Sequence, residues 1–377
     1  MFPGVSKTVL RLLIGVSLTL GFGQHVLACS SSVTVKRGDT LAKFARAHLG
    51  SVFRYNEIYS ANRSVIGRNP NLLKAGQKLK IPCGSQPTGF DRSRMPDAKA
   101  TAVLARQTKL QMLDIRSPKA LEKSGGIIAG AISVPFAKWR GPKGNPGQVP
   151  PDAVLSDLIG QSGLRLERPI VVVDKSGHPM ALGRAAYVYW ILKSLGAERL
   201  AILRDGHKGW VEAELPVAQR PASFPAYEAD VRFADTWLAT YEEVAGIANG
   251  SVRGALLDSR PDKFYRRKAK GQSQPSTLPG ALNSSAMEAT NTLTKAPSVE
   301  EGVLNVLERL KVVRVDWEAA PVVTFCETGE LSALNWFYSS ELSGIQNVRL
   351  YPESARGWKA AGGELVIPPP GKSIYEQ

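Results

Sequence analysis

The sequence predicts an α/β protein: two parallel sheets covered by helices, preceded by a small α+β module. Three observations carry this prediction. The runs 169–174 and 321–325 are apolar without alternation, as expected of strands covered on both faces. Short strand-like segments alternate with helical stretches through both halves of the chain, the pattern that builds a parallel sheet. Landmarks of the second half also repeat those of the first in the same order.

The chain opens with Lys7 and Arg11, then the apolar stretch 12–20, and reaches Val26-Leu27-Ala28-Cys29. A basic start, an apolar centre too short for a stable membrane span and a small-residue end predict a secretory signal over residues 1–28. Export to a periplasm or cell envelope follows. Cys29 then has two mutually exclusive fates. Val26-Leu27-Ala28-Cys29 resembles a bacterial lipobox, which would make Cys29 a lipidated N-terminus. Alternatively, Cys29 pairs with Cys83 across the compact unit they bracket, in an oxidising compartment.

Residues 29–83 form that first unit. Val33-Thr34-Val35-Lys36 alternates like a strand, and a helix capped by Asp39 or Thr40 follows, with Leu41, Phe44, Ala45 and Leu49 as its buried stripe. A second helix carries Ile58 and Tyr59, and 78–82 closes as a strand. The order is βααβ. These segments resemble a LysM module: Val35-Lys36-Arg37-Gly38-Asp39-Thr40-Leu41 matches its opening, Asn62 its central asparagine, and 70–82 its close. The resemblance implies binding of an N-acetylglucosamine glycan such as peptidoglycan, in a groove formed by Gly38, Asp39, Thr40 and the loop at Asn62. Residues 84–97, rich in Gly, Pro, Ser and charge, read as a linker.

The second unit spans 98–219. Met112-Leu113-Asp114-Ile115-Arg116 is a strand with a polar end, Gly130-Ala131-Ile132-Ser133 a turn and strand, and 169–174 a central strand. The mostly apolar helix 182–195 follows, then the strand 200–203 and the segment Arg204-Asp205-Gly206-His207-Lys208-Gly209-Trp210. The third unit, 230–370, repeats these features. Leu257-Asp258-Ser259-Arg260 echoes Leu113-Asp114-Ile115-Arg116, Pro279-Gly280-Ala281-Leu282 echoes the first turn, and 348–358 echoes the strand that leads to Trp210. The stretch 261–300 reads as an insertion around the second of these landmarks.

The repeat resembles a tandem rhodanese, or sulfurtransferase, pair, carried by Asp258-Ser259-Arg260, Leu278-Pro279-Gly280-Ala281, the loop opened by Cys326 and the final tryptophan. The resemblance implies an inert first copy and a catalytic second one. Asp174 stands where Cys326 stands, and a carboxylate cannot carry a sulfane sulfur.

Cys326 closes an apolar strand and opens Cys326-Glu327-Thr328-Gly329-Glu330-Leu331-Ser332, a turn into a helix. A thiolate there can take sulfur from a donor and pass it on, a two-step covalent relay. Gly329 permits the tight turn, main-chain N–H groups from Glu327 through Ser332 are expected to face the sulfur, and Thr328 and Ser332 either donate hydroxyls or cap the helix. Asp258 and Arg260 lie at the end of a neighbouring strand, where Arg260 pairs with Asp258 or Glu327 or shapes the cleft rim. Glu327 and Glu330 depart from the basic or small polar side chains of thiosulfate users, because carboxylates disfavour a neighbouring thiolate and repel a dianionic donor. Donor choice therefore stays open between thiosulfate and a thiol persulfide. The acceptor is a thiol or cyanide, or a sulfur-carrier protein.

A net charge of +15 is dispersed and lacks interleaved aromatics, which argues against nucleic acid as a partner. No cofactor is implied, and the histidines at 25, 48, 178 and 207 lack a metal-ligand grouping. The competing reading is a non-catalytic envelope scaffold whose paired domains bind a partner without turnover.

Overall fold

The computed structural model describes residues 31–36, 39–67, 73–82, 94–269, 271–296, 298–310, 320–345 and 347–368. The leader, Gly38, Cys29, Cys83 and most of the expected linker lie outside them.

In the first unit, β1 (Ser31–Thr34) pairs antiparallel with β2 (Lys78–Ile81), and between them run α1 (Leu41–Leu49), α2 (Tyr55–Ala61) and the single turn α3 (Arg63–Ile66). The short α3 is an addition to the expected βααβ order. Thr40 caps α1 by accepting the Lys43 N–H at 3.1 Å, and Gly50 ends it in the left-handed region at φ 77°.

The second unit contains α4 (Ala98–Gln107), β3 (Gln111–Asp114), α5 (Pro118–Lys123), β4 (Ile127–Ile128), β5 (Ile132–Ser133) and α6 (Asp152–Ser162). It continues through β6 (Ile170–Val173), α7 (Pro179–Ser194), β7 (Leu200–Ile202), α8 (Gly206–Glu212) and β8 (Val217–Ala218). Strands order as β5-β3-β6-β7, all parallel, with β4 and β8 paired separately. Residues 94–97, expected as linker, belong to this unit. Ile202 N–H donates to Arg94 O, Arg204 N–H donates to Pro96 O, and Met95 is buried.

The third unit contains α9 (Tyr241–Ala248), β9 (Ala255–Asp258), α10 (Asp262–Tyr265), the hairpin β10 (Lys268–Ala269) and β11 (Gln272–Ser273), β12 (Leu282–Asn283) and α11 (Ala286–Lys295). Then come α12 (Val299–Leu310), β13 (Val322–Phe325), α13 (Glu330–Trp336), β14 (Val348–Leu350) and α14 (Ser354–Ala360). Strand order β12-β9-β13-β14 reproduces the first sheet, and the registers coincide: Asp114 faces Val173 as Asp258 faces Phe325. The duplication read from the landmarks is thus a duplication of topology. The expected insertion holds the hairpin and α11.

The apolar strands bury both faces, as their lack of alternation predicts. In β6, Ile170 and Val172 enter one core and Val171 and Val173 another. The larger core is shared between the two copies. Residues of α7, nearly all buried, meet Ala333, Leu334, Trp336 and Phe337 of the second copy there. Sequestering each large apolar side chain contributes about 1.5–3 kcal/mol. Gly183 lets α7 lie close against the start of α13: a Cβ there would meet the Glu330 carbonyl oxygen at 2.7 Å. Ala42 and Val52 of the first unit join the same core.

Candidate active site

Strand β13 ends at Phe325, so Cys326 emerges at the carboxyl edge of the sheet between β9 and β14, where parallel sheets form their crevices. Cys326 is a free, buried cysteine with 3% of its surface exposed. The loop turns at Gly329 with φ 103°, and α13 begins at the next residue. A side chain at Gly329 would strike Pro352 O at 2.6 Å and the Tyr187 ring at 3.1 Å. Glycine is required here both by the backbone and by the space.

The Gly329 N–H donates to Cys326 Sγ at 3.1 Å. It is the one main-chain donor of the loop with a hydrogen bond to the sulfur, fewer than the ring of donors expected from Glu327 through Ser332. Ser332 Oγ lies 3.5 Å from Sγ, but its hydrogen has a nearer acceptor in Gly329 O at 3.0 Å. Ser354 Oγ accepts the Cys326 N–H at 3.0 Å and sits 3.9 Å from Sγ. Its own hydrogen goes to Tyr351 O at 3.0 Å, so the turn converges on sulfur through one amide, while both nearby hydroxyls donate to main-chain carbonyls. Thr328, expected as a donor or cap, instead gives its hydroxyl to Glu330 Oε2 at 2.6 Å. Leu331 is buried in the shared core, and its side chain makes no polar contribution.

Both acidic side chains of the loop carry an arginine. Arg260 Nη1 reaches Glu327 Oε2 at 3.2 Å, and Arg140 Nη1 lies 3.0 Å from Glu330 Oε1. The repulsion anticipated from two carboxylates is thereby offset within the loop. Arg260 is clasped by Asp258 (Nε to Oδ1 2.9 Å, Nη2 to Oδ2 2.6 Å), and Thr277 Oγ1 donates to Asp258 Oδ2 at 2.8 Å. Burial disfavours the Arg260 charge. The hydrogen bonds and charge of Asp258, with Glu327 and Cys326, outweigh it and hold its pKa above the usual arginine value.

The first copy has the same clasp without the sulfur. Arg116 binds Asp114 through Nε at 3.0 Å and Nη2 at 2.6 Å. Its Nη1 donates to Ser124 Oγ, away from the loop. The clasp is therefore a structural device common to both copies, and the turning of Nη1 toward Glu327 is particular to the second. Asp174 occupies the place of Cys326, and its carboxylate is taken by the Lys175 N–H at 2.6 Å and Arg184 Nε at 2.7 Å.

Sequence reasoning did not identify Arg140, Tyr187 or Ser354. The first two come from the other copy and carry no local signal. Ser354 was detectable: aligning Gly209-Trp210 with Gly357-Trp358 sets it opposite Gly206, and the two share left-handed φ values of 57° and 59°.

In the first unit, Asp39 Oδ2 accepts the Lys36 N–H at 2.8 Å, and Thr40 caps α1. Asn62 is 2% exposed. Its Nδ2 donates to Ile58 O and Lys80 O, and its Oδ1 accepts the Lys80 N–H, so it ties β2 to α2. That arrangement assigns Asn62 to the interior of the module, where the sequence reading had put it beside a glycan.

Comparison with known proteins agrees with this architecture. The rhodanese-like domain family matches residues 98–213 and 240–361, and the LysM domain family matches 33–82. A thiosulfate sulfurtransferase of Azotobacter vinelandii is 27% identical over 254 residues, covering 66% of this chain and 88% of that protein. The fold is that of the 3-mercaptopyruvate sulfotransferase SseA from Escherichia coli (TM-score 0.55, 19% identity, 70% of this chain and 98% of that one). It is also that of the anaerobic ergothioneine biosynthesis enzyme from Chlorobium limicola (TM-score 0.60, 14% identity, 77% and 73%).

Proposed function

The chain belongs to the rhodanese-like family of sulfurtransferases, and from that premise we propose that it is an exported sulfur relay working through a persulfide on Cys326. The observation that supports this best is the Cys326 sulfur at the sheet edge, held by the Gly329 N–H inside a loop whose two acids are each matched by an arginine.

The thiolate attacks the terminal sulfur of the donor. A new S–S bond forms as the donor's own S–S bond breaks, and the electron pair leaves with sulfite from thiosulfate or with a thiolate from a thiol persulfide. An acceptor thiolate or cyanide then attacks the outer sulfur, and the electron pair returns to Cys326. No external oxidant or reductant enters. The Gly329 amide supports the negative charge that sits on Sγ when it attacks and when it departs. A burial of 97% means that the donor presents a projecting terminal sulfur while its body stays at the rim beside Glu327 and Arg260. A thiol persulfide on a small molecule or on a carrier protein suits that geometry better than a free dianion.

The LysM module supports localisation on N-acetylglucosamine glycan, with peptidoglycan in a cell envelope as the natural target of an exported protein. Cys29 at the mature N-terminus is either lipidated or paired with Cys83.

Mass spectrometry of the mature protein after exposure to thiosulfate and, separately, to a small thiol persulfide tests the relay. The expected result is a gain of one sulfur on Cys326, larger with the persulfide and lost in Cys326→Ser. If neither donor adds sulfur, the relay is wrong and the pair acts as a binding scaffold. The same spectra distinguish a lipidated Cys29 from a bridged one.

A further inference from the structure

We propose that Arg140, contributed by the copy that has no sulfur chemistry of its own, is a positioning residue for Cys326. It fixes the peptide plane whose N–H donates to the sulfur. The inference rests on the relay reading above.

Arg140 is almost enclosed, with 7% of its side chain exposed. Its guanidinium packs against the rings of Phe136 at 5.1 Å and Tyr187 at 4.7 Å. Nε donates to Pro146 O, which anchors the fork within its own copy, and Nη2 donates across the interface to Thr328 O. The C=O of Thr328 and the N–H of Gly329 belong to one planar peptide and point in opposite directions. Holding the oxygen therefore aims the hydrogen, and the hydrogen is the one that meets Sγ at 3.1 Å.

The same side chain compensates Glu330, but this is a separate role. Nη1 is 3.0 Å from Glu330 Oε1 yet makes no aligned hydrogen bond to it, so the pair is held by charge and the Thr328 contact by direction. The remainder of the wall is also supplied by the first copy. Tyr187 lies against Gly329, its hydroxyl donates to Gly147 O at 3.1 Å, and Gly147 abuts Pro352 so closely that a Cβ would fall 2.1 Å from the Pro352 oxygen. The loop can therefore flip its 328–329 peptide only if Arg140 releases it.

The full-length protein is compared with Arg140→Gln, Arg140→Lys, Glu330→Gln and the Arg140→Gln/Glu330→Gln double variant, each checked for a cooperative melt. The readouts are the pH profile of Cys326 alkylation by iodoacetamide and the single-turnover rate of persulfide formation. Loss of an aimed donor to a developing anion predicts a midpoint displaced to higher pH and about tenfold slower sulfur uptake near neutrality for Arg140→Gln. Arg140→Lys keeps the charge and most of the stem, yet it replaces the rigid planar fork anchored on Pro146 O with a freely rotating ammonium that fixes Thr328 O less firmly. It should move both readouts the same way by about threefold. Glu330→Gln should not raise the midpoint, and the double variant should stay as impaired as Arg140→Gln.

Recovery of wild-type behaviour in the double variant would overturn the proposal, because Arg140 would then serve only to neutralise Glu330. Wild-type profiles in both arginine variants would overturn it too. Lys193→Met loosens the interface at a remote point, where Lys193 pairs with Glu341 at 3.2 Å. An equal shift in that variant would reduce Arg140 to a general interface contact. Because alkylation needs no sulfur donor, the Arg140 result stands apart from any failure of the relay itself.

Discussion

Ser354 adopts φ 57°, a left-handed backbone that a side chain accepts at a cost of about 1–3 kcal/mol, while the first copy places Gly206 at the same point. The hydroxyl explains the exception, since it accepts the Cys326 N–H that would otherwise be buried without a partner. Ser354→Gly relieves the backbone and removes that acceptor, two opposing effects of about 1–3 kcal/mol each. Its denaturation midpoint should stay near the wild type, whereas persulfide formation should slow by about three- to tenfold. Ser354→Ala keeps the strain without the hydroxyl and should lose about 1–3 kcal/mol in a denaturant titration. Unchanged sulfur uptake in Ser354→Gly would show that the hydroxyl does not support the loop.

Among the elements, α8 and α14 carry the same fold with different chemistry at their starts. His207 of α8 is buried, and its Nε2 has no hydrogen-bond partner in the described structure. Burial, and then the charge of Arg116, lower its pKa from the ordinary 6.5, against a smaller opposing pull from Asp114. Below about pH 6.5 the unfolded chain therefore binds a proton that the folded chain resists, and stability falls as the pH drops. His207→Gln should flatten this acid-side slope in urea titrations between pH 7 and pH 5, two values chosen to straddle about 6.5. An identical slope in the variant would assign the acid sensitivity to other groups. The corresponding position in α14 is Ala355, whose N–H donates to Cys326 O as His207 N–H donates to Asp174 O.

At the scale of the whole molecule, three modules share one interior. Tyr55 of the LysM unit lies flat against Gly344, where φ is 75° and a Cβ would come within 1.9 Å of the ring. Gly344→Ala should therefore destabilise the chain by about 1–3 kcal/mol and make the first module more susceptible to limited proteolysis. A protease pattern and midpoint like those of the wild type would mean that the module is not docked there.

The legibility of the chain follows the same boundaries. The strands, the duplication and the cysteine loop could be read from the sequence because apolar runs and turn residues act locally. Asp174 in place of Cys326 could be read because two copies invite comparison. The Arg140 contact joins residues 188 positions apart and depends on how two finished domains pack, so no periodicity announces it. Asn62 shows the converse: its position in the motif was plain, but its inward-facing amide was not.

A duplicate with Asp174 where its twin has Cys326 would ordinarily be free to drift. Here its inner surface, from Phe136 to Gly147 and along one side of α7, forms the mould in which its twin's loop is cast. Inheritance should thus constrain that surface as tightly as the cysteine's own neighbourhood, and leave the outer helices α4 and α5 to vary.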